Sequence, residues 1–149
     1  MSWHRFLLAI ALSTVTHAAY PCTCLDPGSG ATLLTAPAVF AGKLASVDYL
    51  DSKESAPEPR ILATFAVTEV WRGPVNRTIV VRTTLNRFTC AGYPFTQGAE
   101  YLVVAGRILD VGNGRSPEVG DIHLCGGTKL LVNAQSDIQA FGPGKKPGP

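Results

Sequence analysis

Between residues 38 and 105 the apolar side chains alternate or gather in short runs, without the three-to-four spacing of a helix. That is the periodicity of β-strands. Residues 38–50 read as a first strand. Val39, Ala41, Ala45 and Val47 fall on one face, with Lys43 interrupting it, and Phe40, Leu44 and Leu50 on the other. Gly42 within it marks a bulge or a bend at a barrel corner. Residues 60–71 form a second strand with Phe65, Val67 and Trp71 sharing a face, and residues 78–84 a third, where Ile79 and Val81 oppose Val80 and Arg82. Residues 101–105 make a fourth, and residues 122–125 a short fifth ended by Gly126-Gly127.

The connections carry turn chemistry. Asp26-Pro27-Gly28-Ser29-Gly30 is a loop, after which residues 31–34 suit a short helical turn. Residues 51–59 are polar with two prolines, Arg72-Gly73-Pro74 stops the second strand, and residues 110–120 are rich in glycine. The long connection 85–98 contains Cys90, and a loop of that length is usually functional or pinned. One helical pattern stands out: Leu130, Leu131, Ala134, Ile138 and Phe141, with Thr128 as its cap and Gly142 just past its end. Residues 143–149 have no apolar side chain to pack and are expected to be disordered. No internal repeat is visible. The pattern predicts an all-β domain over residues 19–142 with a terminal helix, folded as a five-stranded OB-like Greek-key barrel. A sandwich is the alternative.

The first 18 residues change the setting. Arg5 precedes an apolar run over residues 6–15, the length of a signal-peptide core and too short to span a bilayer. Small residues at Thr16 and Ala18 place cleavage after Ala18. The chain is therefore expected to be secreted, periplasmic or extracellular, with no membrane insertion afterwards. Loss of Arg5 takes the net charge from +2 to about +1, without the clustered Lys and Arg that nucleic acid requires. A monomer without cofactor is expected.

An exported chain meets an oxidising compartment, so its four cysteines read as disulfides. Cys22 and Cys24, two residues apart, are poorly placed to bond each other. Each early cysteine pairing with a late one, Cys90 or Cys125, would staple the mature N-terminus to the body twice; Cys22–Cys90 with Cys24–Cys125 is the expected arrangement. A Cys90–Cys125 bond would tether nothing at the front. A four-cysteine zinc site competes, but the C-x2-C spacing usual for zinc is missing.

Several segments, in this order, carry a resemblance: Cys22-Thr23-Cys24; Ala38-Val39-Phe40-Ala41-Gly42; Val67-Thr68-Glu69-Val70-Trp71-Arg72-Gly73; Cys90-Ala91-Gly92; Phe95-Thr96-Gln97-Gly98-Ala99-Glu100-Tyr101-Leu102-Val103; and Cys125-Gly126-Gly127-Thr128. Together they resemble the N-terminal, netrin-like domain of the tissue inhibitors of metalloproteinases, as a single-domain, bacterial-type relative would. The resemblance spans Cys22 to about Gly142, and its ordered set is more specific than any one motif. It implies a netrin-like OB fold and the same two disulfides, Cys22–Cys90 and Cys24–Cys125. It also implies a mechanism: Cys22 chelates the catalytic zinc of a target metalloendopeptidase through its α-amino nitrogen and carbonyl oxygen. Thr23 then enters the pocket beside the zinc, Cys24 and Leu25 lie along the cleft, and Phe88 and Thr89 add a second contact loop. Such a wedge is preorganised by its disulfides and loses little entropy on binding. The sequence departs from the family in leaving Ala19-Tyr20-Pro21 before Cys22, and in lacking the domain's third disulfide and the cysteine-rich C-terminal domain.

Other chemistry is sparse. His4 and His17 fall in the leader, so His123 is the single histidine of the mature chain, and no catalytic base has a partner by spacing; an enzyme is not expected. Trp71 reads as packing rather than a stacking platform, Lys145-Lys146 as a solvated tail, and Asn76-Arg77-Thr78 fits a glycosylation sequon. The alternative function is a non-inhibitory secreted module that binds a protein partner through its loops.

Overall fold

The computed structural model describes residues 35–50, 59–84, 92–106, 108–109, 118–120, 122 and 124–148. Strands β1 (Ala38–Tyr49), β2 (Arg60–Arg72) and β3 (Thr78–Thr84) form an antiparallel meander, and β4 (Glu100–Ala105) pairs with the other side of β1. Three two-residue strands complete the sheet: β5 (Ile108–Leu109), β6 (Glu118–Val119) and β7 (Lys129–Leu130). The order is β5-β6-β3-β2-β1-β4-β7, antiparallel except for β3 beside β6. The architecture is all-β with one short terminal helix, α1 (Gln135–Phe141). As hydrogen-bonded among the described residues the sheet is open, so the expected barrel is not closed by a ladder.

Alternation along the strands divides the core. Phe40, Leu44, Ile61, Phe65, Ile79, Val81, Tyr101 and Val103 pack on one side of the sheet. Val39, Leu102 and Val104 face the other, where Ala134, Ile138 and Phe141 cover them. Bulges decide which residues go where. Ala41 and Gly42 face Glu69 and Val67, so Thr68 is an extra residue in β2. Its hydroxyl donates to the Ala41 carbonyl at 3.3 Å. After it the core side changes parity: Val70 joins Phe65, and Trp71 turns to the opposite side, correcting the face shared by Phe65, Val67 and Trp71. A second irregularity, between Leu44 and Ser46, brings Val47 against the same core as Leu44. Gly42 sits at a register shift as expected, and a Cβ there would lie 2.9 Å from the Ala66 carbonyl oxygen.

Three expectations are corrected. The described residues of 122–125 are not in a strand: Ile122 is buried in irregular backbone, and Leu124 and Cys125 lie in a turn. The helix starts at Gln135, because Lys129 and Leu130 pair with Leu102 and Tyr101 as β7 and residues 131–133 form a 3-10 turn. The edge of β4 offers Lys129 and Leu130 main-chain partners at Leu102 and Tyr101, which outweighs the segment's helical spacing. The tail differs as well. Lys145 and Val70 exchange backbone hydrogen bonds in both directions, at 2.8 and 2.7 Å, so the tail expected to be disordered is bridged to the end of β2 at Lys145.

Candidate functional site

Cys22, Thr23, Cys24, Leu25, Phe88, Thr89 and Cys90 all lie outside the described residues, as do residues 31–34 and His123. What the structure places is the frame to which those segments attach. Thr84 at the end of β3 and Gly92, the residues that flank 85–91, come together: Gly92 is buried, and a Cβ on it would collide with the Thr84 carbonyl. The two ends of this segment therefore meet backbone to backbone, a contact only glycine permits.

Directly after Gly92 comes an aromatic cluster. Tyr93 and Phe95 are 4.8 Å apart by ring centroids, Phe95 meets Tyr101 edge-on at 5.1 Å, and Phe65 meets Phe95 at 5.3 Å. The Phe95–Tyr101 and Phe65–Phe95 pairs are edge-to-face, which suits the ring quadrupoles, and Tyr93–Phe95 is tilted at 43°. The Tyr101 hydroxyl accepts the Thr96 amide N–H at 2.8 Å, fixing the return of the chain into β4. Burial pushes the Tyr93 phenol above its ordinary pKa, and the neighbouring Tyr101 adds to the shift.

On the N-terminal side, Ala36 is buried and its carbonyl accepts from Arg72 Nη1 at 3.4 Å. Gly73, at φ 94°, passes close to Ala38 and Pro37, so the start of β1 is held against the end of β2. Cys125 is half-buried and is a bonded rather than a free cysteine. Its partner lies outside the described residues.

Two further positions singled out by sequence can be placed. Asn76 is exposed between β2 and β3, where a glycan would be accessible. Trp71 is a packing residue: its ring lies 5.6 Å from Phe141, and its Nε1–H donates to the Gly142 carbonyl at 2.8 Å. Beside it, Val39, Val70, Phe141, Pro143 and Lys145 help line a groove of about 310 Å³. Sequence reasoning did not find this groove. Its wall is the C-terminal segment, held by main-chain bonds that leave no side-chain signature.

Among the described residues, no cluster of three or more His, Cys, Asp or Glu side chains could hold a metal ion. None of their helices is long and apolar enough to cross a membrane. No protein-family model matches the chain, and no curated protein matches it.

Proposed function

We propose that this chain is a secreted, netrin-like inhibitor of zinc metalloendopeptidases, built on an OB-like Greek-key barrel that presents Cys22 and its neighbours as a wedge. The observation that carries the barrel is the position of β4 and β5. Only residues 106 and 107 separate them in the chain, yet β6, β3, β2 and β1 stand between them in the sheet. Five strand spacings in a flat sheet amount to about 24 Å. Three Cα steps from Ala105 to Ile108 reach at most about 11 Å. A sheet curled enough to bring β5 within that reach of β4 satisfies both lengths, which supports the barrel reading. The close approach of Thr84 and Gly92 brings together the two ends of the segment that carries Phe88, Thr89 and Cys90.

In this reading the residues act as the family's do. Cys22 supplies an amine and a carbonyl to the open coordination position of a target's zinc. Thr23 fills the adjacent pocket, Cys24 and Leu25 run along the cleft, and Phe88 and Thr89 contact its other side. Disulfides Cys22–Cys90 and Cys24–Cys125 hold the wedge. The protein needs no cofactor of its own.

The test is the N-terminus. An amine binds zinc only when neutral, and an unperturbed α-amino group has a pKa of roughly 8. A peptide bond from Pro21 removes that lone pair at every pH. Protein beginning at Cys22 should inhibit zinc endopeptidases, and inhibit better as pH rises from about 6 to 8 after correction for the protease's own profile. Acetylation of that terminus should abolish the inhibition, and protein beginning at Ala19 should inhibit weakly. A correctly bonded protein beginning at Cys22 that inhibits nothing in a broad panel rejects the mechanism. The sequence also favours a second reading, a non-inhibitory binding module: the expected cleavage after Ala18 would leave Ala19-Tyr20-Pro21 ahead of Cys22.

A further inference from the structure

We propose that the edge of β2 at Glu69–Trp71 is a peptide-binding site, filled in cis by the chain's own C-terminal segment as a displaceable strand. The partner it fits is an extended peptide that brings a large apolar side chain to the adjoining groove. This site is independent of the protease reading.

Past Ala66, β2 has left β3 behind, since the β2–β3 ladder ends at Ala66 opposite Thr78. That leaves the outer edge of its last residues without a neighbouring strand, and the C-terminal segment takes the place. Val70 donates to the Lys145 carbonyl and accepts the Lys145 amide. The Gly144 N–H donates to Glu69 Oε1 at 2.7 Å, Trp71 Nε1–H to the Gly142 carbonyl, and Arg77 Nε–H to the Gly148 carbonyl at 2.7 Å. Glycine is required at the closest point, because a Cβ on Gly144 would lie 2.6 Å from Glu69 Cγ.

Each of these bonds uses a main-chain group of residues 142–148, and Lys145 and Lys146 remain exposed. This is strand addition, in which main-chain bonds give affinity and side-chain pockets give selectivity. Here the pocket is underused. The groove of about 310 Å³ lies next to Trp71, Phe141, Val39 and Val70, and the segment brings only Pro143, Gly144 and Lys145 to it. Tethering gives the segment an effective concentration on the order of millimolar. A competing strand must therefore bring something extra, and an apolar side chain larger than Pro143 is what the cis segment lacks there.

Amide hydrogen exchange on the full chain tests this. Lys145→Pro removes the donor to the Val70 carbonyl and should release the segment. The Val70 amide should then exchange at least about tenfold faster, while Val103 in β4 keeps its protection. A peptide of residues 142–149, added at millimolar concentration, should restore Val70 protection. Its Pro143→Leu version should do so at about tenfold lower concentration, because leucine adds apolar burial. Unchanged Val70 exchange in Lys145→Pro overturns the proposal, and so does failure of both peptides to restore protection. If Val103 also loses protection, Gly144→Val replaces the first variant. Should that variant unfold too, wild-type protein decides: the Pro143→Leu peptide must accelerate exchange of the Lys145 amide by displacing it, and no acceleration overturns the proposal.

Discussion

Thr128 shows how one hydroxyl can complete a sheet. The β4–β7 ladder ends at Leu102 opposite Lys129, and beyond it the Thr128 side chain takes over. Its oxygen accepts the Val104 N–H at 2.9 Å and donates to the Val104 carbonyl at 3.1 Å, with both residues buried. Read from sequence, the same threonine looks like a helix cap, because a hydroxyl before an apolar helical pattern serves that role. Which backbone it meets is decided by β4, distant in sequence. Thr128→Val keeps the shape and leaves both Val104 groups unpaired, so it should cost about 1–3 kcal/mol of unfolding free energy in urea titration. Thr128→Ser should recover most of that loss. Equal stability of the valine variant and wild type would mean that water or relaxation satisfies Val104.

At the scale of elements, the long strands were legible because each carries its own signal. The third strand's bounds match β3 from Thr78 to Thr84, and the first, second and fourth differ by one residue at one end. The two-residue strands were not legible, since Glu118–Val119 and Lys129–Leu130 exist only where β3 and β4 offer an edge. The aromatic cluster joining β2, β4 and residues 93–95 supplies a pH test. The folded state raises the Tyr93 pKa, so it holds the phenolic proton more tightly than the unfolded chain does. The associated stability is complete below the unfolded value, about pH 10, and is lost as pH rises through the folded one. Tyr93→Phe has no proton to lose there. Its denaturation midpoint should fall less steeply than wild type above about pH 10. An equally steep decline would assign the alkaline limb to other groups.

At the scale of the molecule, the crosslinks would bind the mature N-terminus to the sheet. The expected bonds close loops of more than sixty residues, for which chain entropy gives roughly 4 kcal/mol before strain. Non-reducing peptide mapping should recover Cys22 with Cys90 and Cys24 with Cys125. Replacing Cys24 and Cys125 together by serine should clearly lower the thermal midpoint. Recovery of Cys90 bonded to Cys125 would contradict this arrangement, and identical midpoints for oxidised and reduced protein would show that the crosslinks add nothing to stability.

The sequence by itself determined the all-β class, the four principal strands and the end of the helix before Gly142. Each follows from local periodicity or from a backbone demand met within a few residues. Tertiary structure alone decided the parity change at Thr68 that sends Val70 and Trp71 to opposite sides, the capture of Lys129–Leu130 by β4, and the path of the C-terminal segment. A bulge and an edge pairing both depend on which strand lies alongside. A segment such as Gly142–Gly148, held by main-chain bonds, has no side-chain pattern from which its partner could be read.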